Sequence, residues 1–110
     1  MNHWTVETLG RLVDDELDAF PPDIRAGFVR VAQLIEEFGP FQVGMPHLRS
    51  LGDKLWEIRV SGRDGIARGI CVMVTGKRVV VVHAFIKKTQ KTPAGALRLA
   101  RIRAKEGGLL

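Results

Sequence analysis

Apolar and polar residues follow two different rhythms along this chain. Up to about residue 40 the apolar positions recur at helical spacing. Arg11 to Phe20 carries Leu12, Leu17 and Phe20 on one face and ends at Pro21-Pro22. Ile24, Phe28, Val31, Leu34, Ile35 and Phe38 continue the pattern, with Pro22 suited to a first helical turn and Gly39-Pro40 to a stop. These two segments predict a helical hairpin joined by a Pro-Pro corner. Ahead of them, His3 to Leu9 alternates loosely and holds Trp4, Thr5 and Val6, which predicts a short strand.

After residue 54 the period changes to that of extended chain. Leu55 to Val60, Ile66 to Val74 and Val79 to Lys87 read as three strands, separated by Ser61-Gly62-Arg63-Asp64-Gly65 and by Gly76-Lys77, both rich in turn formers. Consecutive strands with short turns predict an antiparallel meander. Thr92-Pro93 reads as an N-cap followed by a first-turn proline, opening a basic helix from Ala94 to Glu106 that stops at Gly107-Gly108. Phe41 to Asp53 shows no period and reads as a connecting loop. The expected fold is therefore α+β in the order β-α-α-β-β-β-α, one domain over residues 1–110 with a single core.

The hairpins predict which side chains meet, because opposed residues of an antiparallel pair share a face. A two-residue turn at Gly76-Lys77 sets Val72 against Val81, Ile70 against His83 and Arg68 against Phe85. A four-residue turn from Gly62 to Gly65 sets Arg59 against Arg68 and Glu57 against Ile70. One face then gathers Glu57, Arg59, Arg68, His83, Phe85 and Lys87, while Trp56, Ile58 and Val60 point to the core.

Charge sharpens this picture. Residues 1–53 hold four basic side chains against nine acidic ones, and residues 54–110 hold thirteen against three. Such asymmetry in one compact domain predicts a basic side that attracts a polyanion. Two arginines placed opposite one another would repel, and an anion between them removes the objection. Arginines grip phosphate bidentately and stabilise developing charge. A carboxylate or imidazole can take a proton from a ribose 2′-hydroxyl, a lysine or histidine can protonate a leaving oxygen, and an aromatic ring can stack on a base. Each group also has a quieter reading: Glu57 as the ion-pair partner of Arg59 or Arg68, His83 and Phe85 as core residues, Lys87 and Lys88 as a solvated strand end. On residues alone, the chain is a phosphate- or RNA-binding α/β domain.

Other chemistries find little support. His3, His47 and His83 are scattered, so no metal-ligand spacing exists and neither metal nor cofactor is expected. Cys71 lies within the apolar run Ile70 to Val74 and reads as a packed thiol. The acidic opening lacks the form of a signal peptide and no apolar run is long enough to span a bilayer, which predicts a cytoplasmic protein with no membrane partner.

The strings LWEIRVSGRDGIARGICVMV and VVVVHAFIKKTQKTP, followed by AGALRLAR, resemble the HigB-like, phage-related branch of the RelE/ParE toxin superfamily. That resemblance spans nearly the whole chain. It implies a toxin neutralised by a helix-turn-helix antitoxin, in an assembly such as a heterotetramer, and cleavage of messenger RNA in the ribosomal A site by attack of the 2′-hydroxyl on the adjacent phosphate. Carried across, Glu57, Arg59, Arg68, His83 and Lys87 are the catalytic candidates, and Phe85, Lys88, Lys91, Arg63, Arg98 and Arg101 the RNA-binding ones. Many relatives place a tyrosine or histidine near the carboxyl end, whereas this chain has no tyrosine and ends in Glu106-Gly107-Gly108-Leu109-Leu110, so the general acid is unassigned. The alternatives are a ParE-like inhibitor of DNA gyrase and a non-catalytic RNA-binding module.

Overall fold

The computed structural model describes residues 3–63, 65–87 and 91–110. Its elements run β1 (Thr5–Thr8), α1 (Arg11–Asp18), α2 (Pro22–Phe38), α3 (Pro40–Val43), β2 (Leu48–Gly52), β3 (Leu55–Gly62), β4 (Gly65–Val74), β5 (Arg78–Lys87) and α4 (Ala94–Glu106). The five strands form one sheet in the order β1-β5-β4-β3-β2. Strands β2 to β5 are the expected antiparallel meander extended by one member, and β1 adds to β5 in parallel.

Two apolar clusters sit on opposite faces of this sheet. Alternation along β3 and β4 sends Ile58, Val60, Ala67 and Cys71 to one face, where they pack under Val13, Ile24, Phe28 and Ile35 of the helical hairpin. The helices lie close because two contacts are stripped to glycine. A Cβ on Gly27 would stand 2.5 Å from Val60 Cγ1, and one on Gly69 would stand 2.7 Å from the Phe28 ring. The other face presents Leu55, Ile70, Val72 and Val82 to Ala100 and Ala104 of α4. Cys71 is fully buried and burial pushes its thiol up to about 12, which suits packing and not reactivity.

Three expectations change. The segment Phe41 to Asp53 is not simply a loop, since it contains α3 and the edge strand β2; only Leu48 of β2 is buried, too few apolar positions to set a period. The β4–β5 turn is three residues long, Thr75 to Lys77, with Val74 opposite Arg78, so Val72 meets Val80 and not Val81. A bulge between Ile70 and Cys71 then restores the register, and Ile70 faces His83 and Arg68 faces Phe85. Pairing of β3 with β4 runs through Gly62 and Gly65, tightening the four-residue turn while leaving Arg59 opposite Arg68. The third change is at α4: its N-cap position is Pro93, without a side-chain cap, and the Thr92 hydroxyl is engaged elsewhere.

No helix among the described residues is long and apolar enough to cross a membrane.

Candidate phosphate-binding site on the sheet

The site is built by neighbouring strands. Glu57 and Arg59 lie two residues apart on β3 and share a face; Arg68 comes from β4 opposite Arg59, and Arg49 from β2 opposite Glu57. Glu57 is 1% exposed, Arg68 2% and Lys87 5%, the buried charged residues among those described. Charged groups are seldom buried this deeply unless something compensates them.

For Glu57 and the two arginines beside it, compensation among the described residues is partial. Glu57 Oε1 stands 3.7 Å from Nε of Arg59 and 3.7 Å from Nε of Arg68, ion pairs too long to be hydrogen bonds. The Thr92 hydroxyl donates to Glu57 Oε2 at 2.7 Å. Arg68 also donates from Nη1 to the carbonyl of Ala67 at 2.9 Å, yet its Nε and that of Arg59 are buried without a hydrogen-bond acceptor. Burial, and then repulsion from Arg59, lower the Arg68 guanidinium from its ordinary value against the pull of Glu57. Lys87 is lowered for the same reasons, first by burial and then by Arg68, with Arg59 and Arg49 adding to the effect and Glu57 opposing it. Among the described residues, one carboxylate thus sits among several cations, a positive field that would favour a phosphate.

His83 and Phe85 stand at the border of this group. The His83 ring turns to the sheet edge, where Nδ1 lies 3.0 Å from Glu16 Oε2 of α1. Glu16 Oε1 accepts the Ala84 N–H at 3.0 Å, and Arg103 Nη1 of α4 donates to both Glu16 oxygens and to the Val82 carbonyl, each at 3.0 Å. Burial raises the Glu16 carboxyl, but Arg103, the Ala84 N–H and His83 outweigh it and hold the group below its ordinary value. Phe85 stacks on His83, with ring centroids 4.9 Å apart and planes at 26°, and packs toward α4. One face of the ring is therefore already occupied.

A family model described as phage-derived Gp49-like protein (DUF891) matches residues 15–105, from α1 through α4. The chain belongs to the Gp49-like family. No curated protein is a significant match. Every residue of the Gp49-like site lies inside the matched span.

The outer candidates of this Gp49-like protein are dispersed. Arg63 is exposed in the β3–β4 turn, its backbone N–H bonded to Asp23 Oδ2 at 2.8 Å. Arg101 pairs with Asp53 at 3.1 Å, and Arg98 is exposed on α4. Lys91 borders a hollow of about 420 Å³ together with Arg49, Leu51 and Thr92, beside the buried cluster. Lys88 lies outside the described residues. Among the described residues, no three His, Cys, Asp or Glu side chains converge as a metal site.

Sequence reasoning missed Arg49, Thr92, Glu16 and Arg103. Arg49 sits on a strand without an apolar period, and Thr92 carries an equally good helix-cap signal. Glu16 and Arg103 meet β5 only through the packing of α1 and α4, which no local pattern reports.

Proposed function

We propose that the protein is the toxin of a toxin–antitoxin pair, an endoribonuclease that cuts messenger RNA on the ribosome. Membership of the Gp49-like family supports the toxin reading and an antitoxin partner. The observation that carries the chemistry is the pair of guanidinium groups, Arg59 and Arg68, drawn around the buried Glu57 with their Nε atoms left without acceptors, beside the buried Lys87. Where metal-dependent nucleases use ions to offset phosphate charge, this site offers fixed guanidinium groups.

In the proposed reaction the ribose 2′-oxygen attacks the adjacent phosphorus and loses its proton, with Glu57 the acceptor that the cluster offers. Arg59 and Arg68 bind the non-bridging oxygens and stabilise the extra charge of the five-coordinate transition state. The P–O5′ bond breaks, and Lys87, made a readier proton donor by its surroundings, protonates the departing 5′-oxygen. The products are a 2′,3′-cyclic phosphate and a 5′-hydroxyl. Glu57 also holds the guanidinium groups in position and is itself held by Thr92. His83, tied to Glu16 and Arg103, supports Phe85 and the edge of β5.

The test is incubation of purified protein with ribosomes programmed by a defined message, followed by mapping of both fragment ends. Cuts within the A-site codon that leave cyclic phosphates are expected, and a 2′-deoxy sugar at the cut should abolish them. Intact messages would overturn the reading, and inhibition of DNA gyrase by the same preparation would replace it.

A further inference from the structure

Strand β2 covers β3 only in part. Their pairing reaches Leu48 opposite Ile58, one further bond joins the Arg59 N–H to the His47 carbonyl at 2.8 Å, and beyond it the Ser61 end of β3 is a free strand edge. Along that edge runs a groove of about 550 Å³, between α2 on one side and the segment Pro46-His47 on the other. Val31, Leu34, Val60 and Ile66 give it an apolar lining. Arg59 and Arg68, the two arginines with unsatisfied buried Nε atoms, are among its lining residues, as are the exposed Arg30 and His47. Among the described residues, no carboxylate lines it.

We infer that this groove binds the base of the unpaired RNA nucleotide next to the scissile phosphate, so that Arg30 and His47 set which base is accepted there. The inference rests on the ribonuclease reading for the identity of the ligand. Volume and chemistry both suit one nucleotide: pockets of this size take small ligands, with apolar walls carrying a few polar groups. A flat apolar lining accommodates a base, the His47 ring and the Arg30 guanidinium can stack on it, and a free strand edge can hydrogen-bond its polar rim. Arg59 and Arg68 belong both to the groove and to the phosphate cluster, so the two sites adjoin and one nucleotide can reach both. An acidic peptide would also find cations here, but it would leave the apolar length of the groove uncovered.

The experiment is a fluorescence anisotropy titration of labelled trinucleotides with 2′-O-methyl sugars, which cannot be cut through the 2′-oxygen, using each of the four bases in turn. Wild-type protein is expected to prefer one base. Arg30→Ala and His47→Ala, both exposed positions, should weaken the preferred trinucleotide by about tenfold each and narrow the differences between bases. Ser61→Trp, which fills the groove from an exposed edge position, should abolish the preference. Unchanged affinity and base order in all three variants would overturn the inference. Lys87→Ala, in the phosphate cluster but not among the residues lining the groove, reports on that cluster separately in the same titration: if it weakens binding while the groove variants do not, the groove assignment falls and the proposed site stands. If the groove variants weaken binding and Lys87→Ala does not, the groove stands and the phosphate site falls.

Discussion

Two charged clusters lie on the same sheet, and they are built on opposite principles. At the free edge of β5, Glu16 receives Arg103, His83 and a backbone N–H at 3.0 Å, and Arg103 also satisfies the Val82 carbonyl. Acidic and basic halves of the sequence meet there and complete one another. Around Glu57 the two arginines stand at 3.7 Å, their Nε atoms lack acceptors, and among the described residues the cations outnumber the carboxylate. The first arrangement closes an edge that β1 leaves open and fastens α1 and α4 to the sheet. The second leaves electrostatic work undone, which a bound phosphate would complete.

The largest expected effect separates the two clusters by activity. Arg68→Ala should lower ribosome-dependent cleavage by about 100-fold or more, the loss typical of a preorganised charge donor. Stability should stay within about 1 kcal/mol of wild type, because removing one cation relieves repulsion from Arg59 and Lys87 while Arg59 and Thr92 still hold Glu57. Arg68→Lys keeps the charge without the planar fork and should recover only part of the rate. Chemical denaturation beside single-turnover cleavage measures both quantities, and a variant that unfolds without losing rate per folded molecule would erase the contrast.

Arg103→Ala should do the reverse. Its guanidinium holds Glu16 and a strand carbonyl, and leaving those acceptors short should cost about 2 to 3 kcal/mol. For a domain of this size that is a fall in melting temperature of roughly 10 °C. Cleavage per folded molecule should be unchanged. A rate defect as large as that of Arg68→Ala would mean that the edge cluster belongs to the chemistry after all.

Only the Glu57 side of this contrast is legible in the residues, and the reasons for the gaps are physical. The β3–β4 register follows from its glycine-bounded turn. The Arg68–Phe85 register was reached through two compensating features, a turn one residue longer than expected and a bulge at Ile70/Cys71 that takes the shift back. Strand β2 was missed because an edge strand with one buried side chain has no alternation to show, and Arg49 was missed with it. The edge cluster depends on Glu16 and Arg103 arriving from helices 87 positions apart, and hydrophobic periodicity carries no information about such a meeting.

Acid should weaken the balanced cluster. The Glu16 carboxyl is held below its ordinary value, so the folded state loses its proton more readily than the unfolded chain does. The resulting stability is present above the unfolded carboxyl pKa of 4.5 and is lost as pH falls through the lower folded value. Melting curves from pH 6 down to pH 2 should therefore show a decline that Glu16→Gln flattens. The effect should be smaller than that of Arg103→Ala, since a protonated carboxyl still offers an acceptor to Arg103.

The smallest effect tests whether Thr92 serves the helix or the site. A threonine just before Pro93 suggests a cap, yet its hydroxyl lies 2.7 Å from Glu57 Oε2 and α4 has no side-chain cap bond. Thr92→Val removes one hydrogen bond to a buried carboxylate, worth about 1 to 2 kcal/mol divided between stability and rate. Thr92→Ser should restore it. The decisive measurement is a double-mutant cycle with Glu57→Gln. If Thr92 acts by holding Glu57, the two changes are strongly non-additive in cleavage rate; if it caps α4, they add, and the unbalanced cluster loses one of its anchors.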